Sequence, residues 1–101
     1  MLPSSESPRG TSFHGHTITT NLFNIRQGIP NLIDYEGDGG NVNYYFIFKM
    51  DNGEVITLYD WRKRPITDLQ IIDWHIGGHS AESTARAKRI LESLITSIIS
   101  L

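Results

Sequence analysis

The fold of this 101-residue chain is decided by residues 42–61, which have the sequence VNYYFIFKMDNGEVITLYDW. Two runs rich in aromatic and β-branched residues, which favour strands, flank the tripeptide Asp51-Asn52-Gly53. A three-residue loop with glycine at its left-handed position is a strong hairpin signal. We therefore predict a β-hairpin in which Met50 faces Glu54.

The hairpin register separates the side chains of the two strands into two faces, because successive residues point to opposite sides of a sheet. The expected core face pairs Phe48 with Ile56, Phe46 with Leu58 and Tyr44 with Asp60. The opposite face pairs Lys49 with Val55, Ile47 with Thr57, Tyr45 with Tyr59 and Asn43 with Trp61. Since large apolar patches usually mark interactions, we expect a helix, a ligand or a second subunit to cover the surplus aromatic side chains of this second face.

Segments on both sides of the hairpin predict the remaining elements. Alternation in residues 12–20 indicates a strand, and Asn21 can cap a short helix that ends before Pro30. Residues 69–76 indicate another strand, and Ser80 is expected to cap a long C-terminal helix. The apolar stripe of that helix consists of Ala87, Leu91, Leu94, Ile98 and Leu101.

The resulting order of elements is β-α-β-β-β-α. It predicts an α+β fold with an antiparallel sheet of about four strands, a short helix and a long C-terminal helix, both helices lying on one face. Residues 1–10 contain almost no apolar side chains and are expected to form a flexible tail, and residues 11–101 a single domain.

The composition excludes several classes of function. The chain has 9 Lys and Arg against 11 Asp and Glu, a net charge of -2, so non-specific binding to nucleic acid is not expected. The absence of Cys excludes disulfide scaffolds, thiolate zinc sites and thiol catalysis, and it favours an intracellular setting. Without an apolar run of about 20 residues or a signal-peptide pattern, we expect a cytoplasmic protein that does not contact membranes.

Residues 74–80, with the sequence WHIGGHS, lie at the predicted junction of a strand and the last helix. A glycine pair before a helix start can direct backbone N–H groups and the positive helix end at an anion, with His79 and Ser80 completing the cradle. Alternatively, Gly77 and Gly78 only form a tight turn and Ser80 caps the helix. The spacing differs from the dinucleotide and P-loop fingerprints, so both interpretations stay open.

The end of the hairpin carries the acid Asp60, the aromatic ring of Trp61 and then three cationic residues. These cations are Arg62, Lys63 and Arg64. A guanidinium beside aromatic rings suits a nucleobase, a phosphate or an acidic protein partner. Alternatively, the cations form a solubilising turn, and Asp60 pairs with a neighbouring cation or accepts a hydrogen bond from Tyr44, since a buried acid needs a partner.

If the hairpin end and the helix start converge, they form one recognition surface. The predicted ligand-binding residues are Tyr59, Asp60, Trp61, Arg62, Trp74, His75, Gly77, Gly78, His79 and Ser80.

A metal-assisted hydrolase or nuclease is the alternative function. His14 and His16 are two residues apart on a predicted strand, which places both imidazoles on one face, and His75 and Asp73 lie on another strand. A pair of histidines without a clear third ligand is more often structural than metal-binding. We therefore expect no metal and no cofactor, and binding rather than catalysis.

Two of these motifs, DNGEVITLYDWR at residues 51–62 and WHIGGHS at residues 74–80, resemble those of a group of small bacteriophage accessory proteins. That group shares a helix, G-x-P, a strand, D-G-x-V-x-T-I-Y-D-W-K and then E-W-H-I-G-G-x-S. The resemblance covers most of residues 10–90, and it departs at Leu58 and Arg62, where the group has Ile and Lys.

The resemblance implies an accessory protein that acts inside an infected bacterium by blocking or sequestering a host factor. Together with the residues above, it predicts a counter-defence or host-takeover protein. Such a protein would bind a nucleotide-like small molecule or inhibit a host protein, as a homo-oligomer that covers its second apolar sheet face.

Overall fold

The structure is a computed structural model, and it describes residues 2–3, 10–29, 35–36, 42–61 and 66–99. The strands are β1 (Leu2–Pro3), β2 (Ser12–Thr20), β3 (Tyr35–Glu36), β4 (Val42–Lys49), β5 (Val55–Trp61) and β6 (Ile72–Gly78). The helices are α1 (Leu22–Gly28) and α2 (Ala81–Ile99). Four longer strands form an antiparallel sheet in the order β4-β5-β6-β2, and the two-residue strands β1 and β3 both pair with β4. This arrangement confirms the predicted α+β fold and its β-α-β-β-β-α order.

The β4–β5 hairpin has the predicted loop and most of the predicted register. Gly53 has a φ of 87°, and the Met50 N–H donates to the Glu54 carbonyl at 2.9 Å. Phe48 lies opposite Ile56. The core face of the hairpin is buried as expected, since Phe46, Phe48, Ile56 and Leu58 are each 0% exposed.

The register shifts by one residue at the far end of the hairpin, where Val42 rather than Asn43 lies opposite Trp61. The expected pairing of Asn43 with Trp61 is therefore wrong. The Asp60 carboxylate explains the shift, because its Oδ1 accepts from the backbone N–H groups of both Asn43 and Tyr44, at 2.8 and 2.7 Å. A carboxylate that draws two successive N–H groups holds the strand in a bulge at this point.

Both helices pack on one face of the sheet. The side chain of Asn21 accepts from the Asn24 N–H at 2.8 Å and begins α1, which buries Leu22 and Ile25. α2 begins after Ser80, whose Oγ accepts from the Ser83 N–H at 3.0 Å, as expected for an N-cap. The residues of α2 that join the core are Ala87, Leu91 and Ile95, with Leu94 partly buried against them.

Some predictions fall on parts of the chain that the structure does not describe. Residues 1 and 4–9 of the predicted tail lie outside the described residues, and Leu2 and Pro3 pair with Lys49 and Phe48. The division into a tail and a domain stays a prediction. The Ile98 side chain and Leu101 also lie outside what is described, and neither described helix is long and apolar enough to span a bilayer.

The strand β6 differs from its prediction, since it begins at Ile72 and continues through the glycine pair. Gly77 and Gly78 therefore belong to a strand rather than to a turn. A Cβ at Gly77 would collide with the Thr57 Oγ1, and one at Gly78 would lie 2.8 Å from the Thr84 Cγ2 of α2. The glycines let β6 approach β5 and α2 more closely than residues with side chains would allow.

Candidate functional site

The strand register separates the two segments that the sequence predicts to converge. Thr57 lies opposite Gly77, and Asp60 lies opposite Trp74. Gly77 is thus three residues, or about 10 Å, along β6 from Trp74, the neighbour of Asp60, and α2 begins still further along the chain, at Ala81. The predicted convergence is not found, because antiparallel pairing puts the end of β5 beside the beginning of β6.

Two predicted site residues, Asp60 and Trp74, are completely buried. Besides its two backbone partners, Asp60 accepts from the Asn43 Nδ2 through Oδ2 at 2.8 Å. The Trp74 Nε1 donates to the Thr20 carbonyl at 3.1 Å. Their polar atoms already have partners, and neither side chain is accessible to a ligand. For Asp60, the interpretation in which it accepts from Tyr44 is the one observed, through the Tyr44 backbone.

Two residues of the predicted anion cradle at the start of α2, Gly78 and Ser80, have structural roles. Gly78 lies directly under α2, and the Ser80 hydroxyl is engaged as the N-cap. His79 is exposed, and its ring lies against Gly10. Arg62 lies outside the described residues.

Three predicted residues, Tyr59, Trp61 and His75, do come together, on the sheet face opposite the helices. Tyr45 lies opposite Tyr59, and Tyr59 lies opposite His75, so one row of rings crosses three strands. Phe13 joins this row from β2 by stacking on His75. We call these five residues, Phe13, Tyr45, Tyr59, Trp61 and His75, the aromatic face.

The rings of the aromatic face contact one another in a continuous series. The Phe13 and His75 centroids are 4.4 Å apart with planes at 22°, and those of Tyr45 and Tyr59 are 5.7 Å apart. The centroid of the Tyr59 ring lies 5.5 Å from that of His75 and 6.3 Å from that of Trp61. The Tyr59 and Trp61 rings meet edge to face, with their planes at 70°. Trp61 and His75 are nearly parallel, at 17°, with centroids 6.3 Å apart. These spacings are those of interacting aromatic pairs.

Phe13 reaches His75 because of an irregularity in β2. Thr17 pairs with His75, so a regular ladder would place Phe13 opposite His79, yet Phe13 lies opposite Gly77. The register shift between Phe13 and Thr17 brings the Phe13 ring two residue positions closer to His75. Gly15, whose φ is 92°, lies within the shifted segment. Phe13 is not among the predicted site residues, although an isolated glycine within a strand pattern is a signal for a bulge.

The aromatic face is open to solvent at its ends, since Trp61 is 54% and Phe13 43% exposed. Desolvation lowers the pKa of His75 and outweighs the opposite influence of Asp73. Burial, followed by the proximity of Tyr45, raises the pKa of Tyr59. Both shifts favour the neutral forms of His75 and Tyr59, so the surface offers flat apolar rings with a few polar atoms.

The histidines proposed as metal ligands are separated. The Nε2 of His14 lies 3.1 Å from the Gly78 carbonyl, and the Nδ1 of His16 lies 2.7 Å from the Thr84 hydroxyl of α2. His75 belongs to the aromatic face. Across the described residues, no three His, Asp or Glu side chains are grouped so that they could hold a metal ion. The geometry therefore gives no support to a metal-assisted hydrolase.

Comparison of the chain with protein-family models, with curated proteins and with solved structures finds no match.

Proposed function

We propose that this chain is a binding protein without catalytic activity whose recognition surface is the aromatic face. One observation carries the proposal: five rings form a continuous, partly exposed series on a sheet face that neither described helix covers. Fully buried rings would belong to a core, and isolated exposed rings would need no explanation. A connected, half-open series of rings is the arrangement that stacking ligands use.

The ligand that suits this surface best is the planar base of a nucleotide-like molecule. Stacking of a base on an aromatic side chain contributes about 1–3 kcal/mol and requires only flat rings. In the sequence, Trp61 is followed directly by Arg62, Lys63 and Arg64, whose charges suit a phosphate. The net charge of -2 disfavours long polyanions, so a mononucleotide or dinucleotide is a better candidate than a strand of nucleic acid.

The resemblance to bacteriophage accessory proteins gives this binding activity a setting. Within the proposal, the protein sequesters a nucleotide-like molecule in the cytoplasm of an infected cell and so acts against a host defence. Inhibition of a host protein through the same rings is the competing outcome. Hot spots of protein interfaces are also rich in Trp and Tyr, so the two outcomes must be separated by experiment.

Tryptophan fluorescence provides a direct test, because Trp61 is exposed and the other tryptophan, Trp74, is completely buried. Titration with the four nucleoside monophosphates should quench or shift the Trp61 emission with at least one of them. Replacing Trp61 by Ala should weaken binding, measured calorimetrically, by about tenfold or more.

The matched control is Phe23→Ala, which removes a ring that is 48% exposed on α1, across the sheet from the aromatic face. This variant should bind as the parent does. Equal affinity of the Trp61→Ala variant would place the ligand elsewhere. Indifference of the parent protein to every nucleotide would favour a protein partner.

A further inference from the structure

We propose that two copies of this chain form a twofold dimer by pairing their β2 strands edge to edge, which extends the sheet across both copies. The proposal is independent of the ligand of the aromatic face. It rests on the open edge of β2, on a groove beside that edge and on the charges at the rim of the groove.

The two edges of the sheet differ. β1 and β3 both pair with β4 and so cover parts of one edge, whereas the described residues include no strand that pairs with β2 on the side away from β6. An edge strand presents unpaired N–H and C=O groups, and monomeric proteins usually protect such a strand with Lys, Pro or inward-facing charges. The nine residues of β2, SFHGHTITT, contain no Lys, Arg, Asp, Glu or Pro. The strand is therefore suited to pairing with another strand.

A groove of about 370 Å³ runs between this edge and α2. Its lining on the strand side is Thr17, Ile18, Thr19 and Thr20, and on the helix side Lys88, Glu92, Ile95 and Thr96. Ile18 and Ile95 are nearly buried, at 3% and 6% exposure, whereas Lys88 and Glu92 have half-exposed side chains. A strand added to β2 sends alternate side chains toward α2 and hence into this groove.

The chemistry of the groove favours a second copy of β2 as the added strand. Thr17-Ile18-Thr19-Thr20 is uncharged and β-branched, so two antiparallel copies bring strand-forming residues into cross-strand contact. The threonines that line the groove offer hydroxyl and methyl groups that match those of a second β2 strand. A charged segment would instead lie against the apolar side chains of Ile18 and Ile95. Strand pairing thus places no formal charge in the apolar part of the interface.

The rim of the groove is self-complementary. Lys88 and Glu92 lie one helical turn apart on the side of α2 that borders β2. The Lys88 Nζ is 3.9 Å from the Glu92 Oε1. α2 follows the direction of β2, since His16 contacts Thr84 and the later residues Thr17–Thr20 share the groove with residues 88–96. A twofold axis that reverses β2 also reverses α2, so Lys88 of each copy faces Glu92 of the other. This dimer leaves the aromatic faces of both copies open on the same side of the extended sheet.

Sedimentation velocity over a range of concentrations, combined with amide hydrogen exchange, tests the proposal. The parent protein should show a monomer–dimer equilibrium, and the amides of residues 17–20 should become more protected as the concentration rises. Lys88→Glu and Glu92→Lys should each raise the dimer dissociation constant about tenfold. The double variant Lys88→Glu/Glu92→Lys should return to within about threefold of the parent, because the pair across the axis is restored in reverse.

Arg89→Glu is the matched control, since it reverses an exposed charge on α2 outside the groove lining. It should leave the dissociation constant unchanged. A protein that is monomeric at all concentrations overturns the proposal. So does a dimer whose protected amides lie outside residues 17–20, or one whose dissociation constant does not change in either single variant.

Discussion

Asp60 illustrates how one buried side chain can fix the position of a strand end. Its carboxylate is fully buried and accepts three hydrogen bonds from Asn43 and Tyr44. These bonds fix the bulge in β4 beside the end of β5, where Trp61 begins the aromatic face. Asp60 therefore positions the strand end that carries Trp61.

Replacing Asp60 by Asn should lower the free energy of unfolding by about 2–3 kcal/mol, because hydrogen bonds to a charged group are lost and an amide N–H group faces the Asn43 donor. Urea denaturation followed by circular dichroism measures this change. Asp68→Asn, at an exposed loop position, serves as the control. Equal stability of the parent and the Asp60→Asn variant would contradict the role of this carboxylate.

His75 makes the stability of the protein depend on pH. Desolvation holds its pKa below the ordinary value of 6.5, so the unfolded chain binds more protons than the folded one between the two values. The stability contribution of neutral His75 is therefore complete above pH 6.5 and decreases as the pH falls through that value. An NMR titration of the His75 ring protons should give a midpoint below 6.5.

Removing the stacked ring by Phe13→Ala should move that midpoint back toward 6.5, because water regains access to the imidazole. A midpoint above 6.5 in the parent protein would show that the influence of Asp73 outweighs desolvation, and the folded state would then favour the charged imidazole.

Among elements, β2 does the most to shape the aromatic face. Its register shift carries Phe13 to His75, and Gly15 within that shift adopts a φ of 92° that other residues rarely adopt. A Cβ at Gly15 would meet no atom within 4 Å, so a side chain there would cause no steric clash. It would destabilise the fold only because its backbone would have to adopt a positive φ. Gly15→Ala should lower the free energy of unfolding by about 1–2 kcal/mol and weaken nucleotide binding.

Gly53→Ala is a matched comparison, since Gly53 has a similar φ of 87° and also has open space around it, but lies in the β4–β5 loop. Denaturation should show a similar loss of stability, and calorimetry should show unchanged nucleotide affinity. If both variants lost affinity equally, the effect would come from general destabilisation rather than from the position of Phe13.

The β4–β5 hairpin and α2 are joined through Glu54. Its carboxylate accepts hydrogen bonds from the Ser83 hydroxyl and from Asn52, and it pairs with Arg86. The Ser83 hydrogen bond is the largest of the influences that hold the pKa of Glu54 below the ordinary value of 4.5. The charged form is favoured in the folded state, so this stabilisation is present above pH 4.5 and is lost as the pH falls below it.

Thermal unfolding between pH 3 and 7 measures this dependence. The Glu54→Gln variant should be less stable than the parent at neutral pH and should lose less stability on acidification. A parallel decrease of both proteins through this range would show that other carboxyl groups dominate the acid response.

For the whole molecule, local signals predict more of the fold than of the site. The alternation in residues 42–61, the Gly53 turn and the caps Asn21 and Ser80 are properties of adjacent residues, and they correctly predict the β4–β5 hairpin, its core face and the starts of both helices. The site depends on which distant positions become neighbours, and that depends on strand order and bulges. Hence Tyr59, Trp61 and His75 were predicted as site residues, but their separation from the glycine pair was not.

The two faces of the sheet carry different sets of side chains. One face supports both helices and holds the core, including the fully buried Trp74 and Leu91. The other carries a row of aromatic rings, and the edge of β2 offers a place for a second copy. The two proposals use these features separately, since recognition would use the open face and dimerisation the edge of β2.

The central claim, that the aromatic face holds a planar base, is tested most directly by NMR with the nucleoside monophosphate that binds most tightly. A base stacked on the face should shift the ring protons of Trp61, Tyr59 and His75 upfield and give contacts between the base and ring protons of the ligand and these side chains. Shifts that cluster elsewhere, or no base contacts to these rings at a saturating concentration, would contradict the account.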